Sequence, residues 1–182
     1  MSNPRVLVAG VGNIFLGDDA FGVEVVRRMA RRPLPGEVRV VDFGIRGIDL
    51  AYALLDRYEM AVLVDALPRG GQPGTLYVLE PDLNGLEDPA GAGAVVEAHA
   101  MDPVSVLRLV GALGGPLPTL RVVGCEPAPL DAAEDGRMGL SGPVEAAVDG
   151  AIPLVEALAR EWLDREAASC TNSDSPRKSS TS

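Results

Sequence analysis

Residues 60–64, Met-Ala-Val-Leu-Val, carry no polar side chain, and an acid, Asp65, follows them directly. Successive side chains of an extended segment point to opposite faces, so this run has to bury both. That is the position of a central strand in a parallel sheet covered by helices above and below. Residues 5–9 (RVLVA) repeat the signal and break into Gly10-Val11-Gly12. Further strand signals fall at 37–43, 74–79 and 120–124. Helical signals lie between them. Phe21, Val25 and Met29 recur every fourth residue behind Asp18 and Asp19. Either acid suits an N-cap, and a second suits the first turn. Arg27, Arg28, Arg31 and Arg32 near the helix end complement its dipole. Residues 48–55, 103–113 and 143–165 are the other helices, the second opened by Pro103 and the third carrying Pro153 as a kink. This alternation defines an α/β fold. It is a single three-layer sandwich, a mostly parallel twisted sheet of about five strands with helices on both faces.

A chain of 182 residues fits one domain. Residues 1–166 form it; residues 167–182 hold six serines and little to bury, and read as a disordered tail. The net charge of −10 argues against nucleic-acid and anionic-membrane partners, both of which call for basic surface. The N-terminus lacks a secretory pattern and no run of 18 apolar residues occurs, so the expected location is the cytoplasm. One histidine, His99, and two cysteines, Cys125 and Cys170, exclude a multi-histidine, Cys₄ or Cys₂His₂ metal cage.

In a doubly wound sheet, ligands collect at the carboxyl ends of the strands. The loop at 10–19, GVGNIFLGDD, begins like a dinucleotide-binding turn, and Asp42 sits where a ribose-binding acid would end the second strand. Phe15 occupies the place of the third glycine, and two carboxylates stand where a pyrophosphate would meet the helix. Those charges repel the ligand that such a loop attracts. Asp65 reads equally as a loop-starting turn or as a ligand. An ionised acid behind a buried strand is costly unless paired or metal-bound. A lone histidine such as His99 is more often incidental than a ligand. Together, however, Asp19, Asp65 and His99 flank strand ends and form an O₂N donor set suited to Ni²⁺, Mn²⁺ or Zn²⁺ with open positions. Cys125 ends a strand and fits inert packing better than a Cys125–His99 thiol protease.

The joint pattern resembles the hydrogenase maturation endopeptidases. Its segments are GVGNIFLGDDAFG (10–22), DFGIRG (42–47), VDALPRGGQPGT (64–75), His99 ahead of a helix, GCEP (124–127) and LSGPVEAAV (140–148). Each is weak alone; all in this order and spacing are specific. The resemblance implies a peptidase that removes the C-terminal extension of the nickel-loaded large-subunit precursor of a nickel–iron hydrogenase. It implies Asp19, Asp65 and His99 as nickel ligands and catalytic residues, with the nickel arriving in the substrate and no organic cofactor. A carboxylate acting as general base is a variant of the same chemistry. Asp42, Gly44, Arg46 and Gly47 belong to the segment expected to grip the extension as a mobile, backbone-rich strip, with Arg46 pairing an acid there. DFGIRG departs from the family's commoner DGGTxG, and Cys125 stands where an aliphatic residue is usual. The expected enzyme is a monomer that binds its precursor transiently. The competing readings are a dinucleotide-binding protein and a non-catalytic nickel-sensing assembly factor.

Overall fold

The computed structural model describes residues 4–56, 58–81, 103–114, 116–129 and 139–173. The chain runs β1 (Val6–Val11), a 3₁₀ turn (Gly17–Ala20), α1 (Phe21–Met29), β2 (Val38–Gly44), α2 (Gly47–Leu54), β3 (Met60–Ala66), β4 (Leu76–Leu79), α3 (Pro103–Ala112), β5 (Thr119–Cys125) and α4 (Gly142–Ser173). The sheet order is β2-β1-β3-β5-β4, with β4 antiparallel to β5 and every other pair parallel. The expected sandwich is thus present, with an antiparallel strand at one edge of a parallel sheet, a common arrangement.

The strands alternate between two cores, as period two requires. Val6, Val8, Met60, Val62 and Val64 face α1 and α4. Leu7, Ala9, Ala61 and Leu63 face Leu50 and Leu54 of α2 and Leu107 and Val110 of α3. β3 is buried along Met60–Asp65, as its unbroken apolar run demands. The helical stripe of Phe21, Val25 and Met29 is at most 1% exposed. Each such side chain adds about 1.5–3 kcal/mol by leaving water.

The basic end of α1 does more than complement a dipole. Arg28 pairs with Glu24 at 2.7 Å and with Asp149 at 3.1 Å, and also with Glu145, while Arg32 reaches Glu156 at 2.8 Å. The contacts to Glu145, Asp149 and Glu156 tie α1 and the turn behind it to α4. The acids around Arg28, Glu145 foremost, hold its guanidinium more firmly protonated than usual.

Two expectations need correction. Neither Asp18 nor Asp19 caps a helix with its side chain: the 3₁₀ turn starts after Leu16 and α1 after Ala20, each without a side-chain cap. Both acids have other partners, given below. The stretch from residue 167, expected as a disordered tail, also begins as helix, because α4 continues to Ser173. Ala167 and Ala168 are good helix formers, and the Ser169 hydroxyl donates to the Arg165 carbonyl at 3.0 Å. A serine-rich stretch can therefore extend a helix already nucleated by packing. Cys170 falls within α4, and residues 174–182 lie outside the described set.

Candidate active site

The chain leaves β1 for β2 on one side, then crosses to β3 on the other. That makes the carboxyl ends of β1 and β3 the topological switch point, where such sheets bind ligands. Asp65 lies there, 6% exposed and still within β3, its Oδ1 accepting the N–H of Ala66 at 2.8 Å.

Asp19 is brought to the same edge by close backbone packing. Gly12 adopts φ +131°, and a Cβ on it would overlap the Asp19 carbonyl. A Cβ on Gly22 would overlap the carbonyl oxygens of Val64 and Val11, at the ends of the two central strands. Only glycine lets the start of α1 sit so near them. The 3₁₀ turn carrying Asp19 consequently packs against β3. The Asp19 Oδ2 accepts the N–H of Asn13 at 2.6 Å, fixing the carboxylate over the loop behind β1. A pyrophosphate of a dinucleotide would need that N–H and that space. The loop is closed by its own acid, which counts against a dinucleotide.

The adjacent acid has a different task. Asp18 is 8% exposed. Its Oδ1 accepts the N–H of Ser141 at 2.6 Å, and its Oδ2 accepts the Ser141 hydroxyl and the N–H of Ala128, both at 2.8 Å. One carboxylate thus ties the turn behind β1 to the segment after β5 and to the start of α4. The fold gives the two neighbouring aspartates different partners: Asp18 joins distant segments, and Asp19 holds the loop behind β1.

Asp42 pairs with Arg27 at 3.0 Å near the end of β2. Gly44, at φ +54°, closes the strand, and its carbonyl accepts the Gly12 N–H at 3.1 Å. Arg46 folds back on its own loop. Its Nε donates to the Phe43 carbonyl at 3.1 Å, another guanidinium nitrogen donates to the Asp42 carbonyl, and the group lies 3.6 Å from Asp49. In this state it stabilises the turn into α2, which begins at Gly47. Around this edge the large apolar side chains Phe15, Leu16, Ile45, Ile48 and Tyr52 are all more than half exposed. His99 and the loop beyond Pro81 lie outside the described residues. Among the described residues no three metal-type side chains stand together. Asp19 and Asp65 supply two oxygen donors at the switch point.

Cys125 is fully buried in the α1/α4 core, its Sγ 3.7 Å from the Glu126 carbonyl. Burial first, then the nearby Asp18 charge, pushes the thiol up to about 11. At pH 8 the thiolate is on the order of one part in a thousand, so the group is a poor nucleophile. Iodoacetamide is expected to leave Cys125 unmodified in the native protein, and Cys125→Ala is expected to keep peptidase activity. Peptide mass mapping and a cleavage assay check both, and inactivation on labelling of Cys125 would reinstate the thiol.

Glu126 is the residue that spacing alone does not single out. It is 4% exposed and collects the N–H groups of Arg69 and Gly70 and the Tyr77 hydroxyl, at 2.8–3.0 Å. Its only sequence signal is an acid directly behind a strand, in GCEP.

The site thus places Asp19 and Asp65 at the carboxyl edge of a mostly parallel sheet. Comparisons with known proteins identify the family. The family model described as hydrogenase maturation protease matches residues 23–158. The hydrogenase 2 maturation protease of Escherichia coli is 31% identical over 158 residues, covering 86% of this chain and 92% of the relative. The hydrogenase expression/formation protein HupD of Rhizobium leguminosarum is 31% identical, covering 87% of this chain and 76% of the relative. Among solved structures, the hydrogenase maturating endopeptidase HybD from Escherichia coli superposes with a TM-score of 0.68 at 32% identity, covering 86% of this chain and 93% of that one. A hydrogenase 2 maturation peptidase from a Thaumarchaeota archaeon gives 0.63 at 36% identity, over 85% and 98%. The chain belongs to the hydrogenase maturation protease family, and it is a peptidase.

Proposed function

We propose that this peptidase cuts the C-terminal extension from a nickel–iron hydrogenase large-subunit precursor that already carries nickel. The observation that carries this reading is the pair Asp19 and Asp65 at the switch point, one oriented by the Asn13 N–H and the other by the Ala66 N–H. Both are hard oxygen donors, and a divalent cation is what such a pair accepts. His99, outside the described residues, is the third donor that the family resemblance supplies; the precursor's own ligands would complete the shell, so the metal is cargo of the substrate. Bound nickel would orient the scissile bond and polarise its carbonyl or a water. The exposed rim of Phe15, Leu16, Ile45, Ile48 and Tyr52 supplies apolar surface for the large subunit beside the site. The 42–47 segment, exposed at Ile45 and Arg46, borders that rim and is the strip that would meet the extension.

The enzyme works as a monomer in the cytoplasm, meeting its precursor transiently. Its net charge of −10 disfavours nucleic acid and anionic lipid as further partners, and no described helix is long and apolar enough to cross a membrane. Intact mass measurement of the large subunit, co-expressed with and without this protein, tests the proteolytic role. Loss of a C-terminal segment only in its presence is expected. A stable complex with an unshortened subunit would indicate the non-catalytic sensor instead.

A further inference from the structure

The segment that leaves Asp65 is pinned by one buried carboxylate, and the pinning presents a cation. Glu126 accepts the Arg69 N–H with both oxygens, at 3.0 and 2.9 Å, and the Gly70 N–H at 3.0 Å. Burial pushes its carboxyl up, but the Tyr77 hydroxyl and the N–H groups of Arg69, Gly71 and Gly70 outweigh that and hold it below the usual range. The Leu67 N–H donates to the Cys125 carbonyl at 2.8 Å, and its side chain fills the space over Gly124 where a Cβ would collide. Arg69 therefore has a fixed backbone, and its guanidinium lies over the Tyr77 ring, 5.5 Å from the centroid. The residue is exposed. Arg5, Arg27, Arg28, Arg32, Arg46 and Arg121 each have a carboxylate partner. No described carboxylate forms an ion pair with Arg69.

Strand register locates this cation. Asp65 pairs with Gly124, and Gly124 with Tyr77, so Tyr77 lies in the same row as Asp65, two strands away. Two strand spacings amount to about 10 Å. An extended peptide covers that distance in about three residues. A guanidinium stacked on an aromatic ring is already ordered and offers paired N–H donors to a carboxylate.

We propose that Arg69 is a specificity-determining residue that binds an acidic side chain of the precursor, about three residues from the bond that is cut. The inference rests on Asp65 marking the reacting centre. The test reads affinity and cleavage separately on nickel-loaded large-subunit precursor. Kd comes from surface plasmon resonance, and KM and kcat from intact-mass time courses. Arg69→Ala is expected to raise Kd and KM about tenfold, equal to about 1.4 kcal/mol, with kcat within about twofold. Arg69→Lys, which keeps the charge without the fork, should recover part of the loss. A precursor whose acid near the cut is changed to Lys should bind Arg69→Glu better than it binds the wild type. Wild-type Kd and KM retained in Arg69→Ala overturn the inference. So does a loss that no charge reversal in the precursor compensates, or failure of the wild type to bind precursor. A wild type that binds through Arg69 but never cuts would defeat the peptidase reading of this substrate and leave Arg69 as its docking residue.

Discussion

Asp18→Ala is expected to melt well below the wild type, whereas Asp19→Asn is expected to melt near it and lose cleavage. The two residues are neighbours in sequence and opposite in role. Removing the Asp18 carboxylate strands the N–H groups of Ala128 and Ser141 beside a buried turn. Orphaning them costs about 2–4 kcal/mol. For a chain of this size that lowers the Tm by about 4–16 °C. Asp18→Asn keeps one acceptor oxygen and should recover part of the loss. Asp19→Asn can still accept the Asn13 N–H, so its stability should stay within about 1 kcal/mol of the wild type. Cleavage should fall more than about 100-fold, beyond what loss of a group merely supporting a ligand produces. Thermal unfolding by circular dichroism and an intact-mass cleavage assay separate the two. A common Tm loss for both variants, or full cleavage by Asp19→Asn, would contradict the assignment.

Gly22→Ala should be nearly as damaging by a different route. The added methyl meets carbonyl oxygens of Val64 and Val11, both backbone of central strands. Neither can move without disturbing the sheet, so α1 has to lift off. Overpacking of this kind costs about 3 kcal/mol at the upper end of its ordinary range, or about 6–12 °C in Tm. The same lift carries the turn holding Asp19 away from Asp65, so activity should fall even at temperatures where the variant is folded. Gly36→Ala is the control, because a Cβ there meets nothing within 4 Å. It should be neutral or slightly stabilising. Equal behaviour of the two alanine variants would show that the close approach at Gly22 does not position the site.

These predictions also mark what sequence periodicity can carry. The apolar run at 60–64 sufficed for a buried central strand, and the alternation around it for the layers. The same logic put Asp65 at a strand end, the natural place for a ligand. Of the Asp18-Asp19 pair, Asp19 was legible as a donor to join Asp65 and His99, while Asp18 read only as an acid at a helix start. Their separation depends on Ser141 and Ala128, more than a hundred residues away, and long-range contacts leave no local pattern. Glu126 escaped for the same reason, since its donors come from the loop behind β3 and from β4. The helical continuation to Ser173 was hidden because serine content signals disorder by composition, while a helix already packed through Trp162 extends by local propensity.

The central claim is that nickel arriving with the substrate licenses the cut. The most direct measurement gives the purified enzyme equal amounts of nickel-loaded and nickel-free large-subunit precursor and follows both by intact mass. The expected result is shortening of the nickel-loaded precursor alone, abolished in Asp65→Ala. Equal shortening of the two precursors would contradict the account.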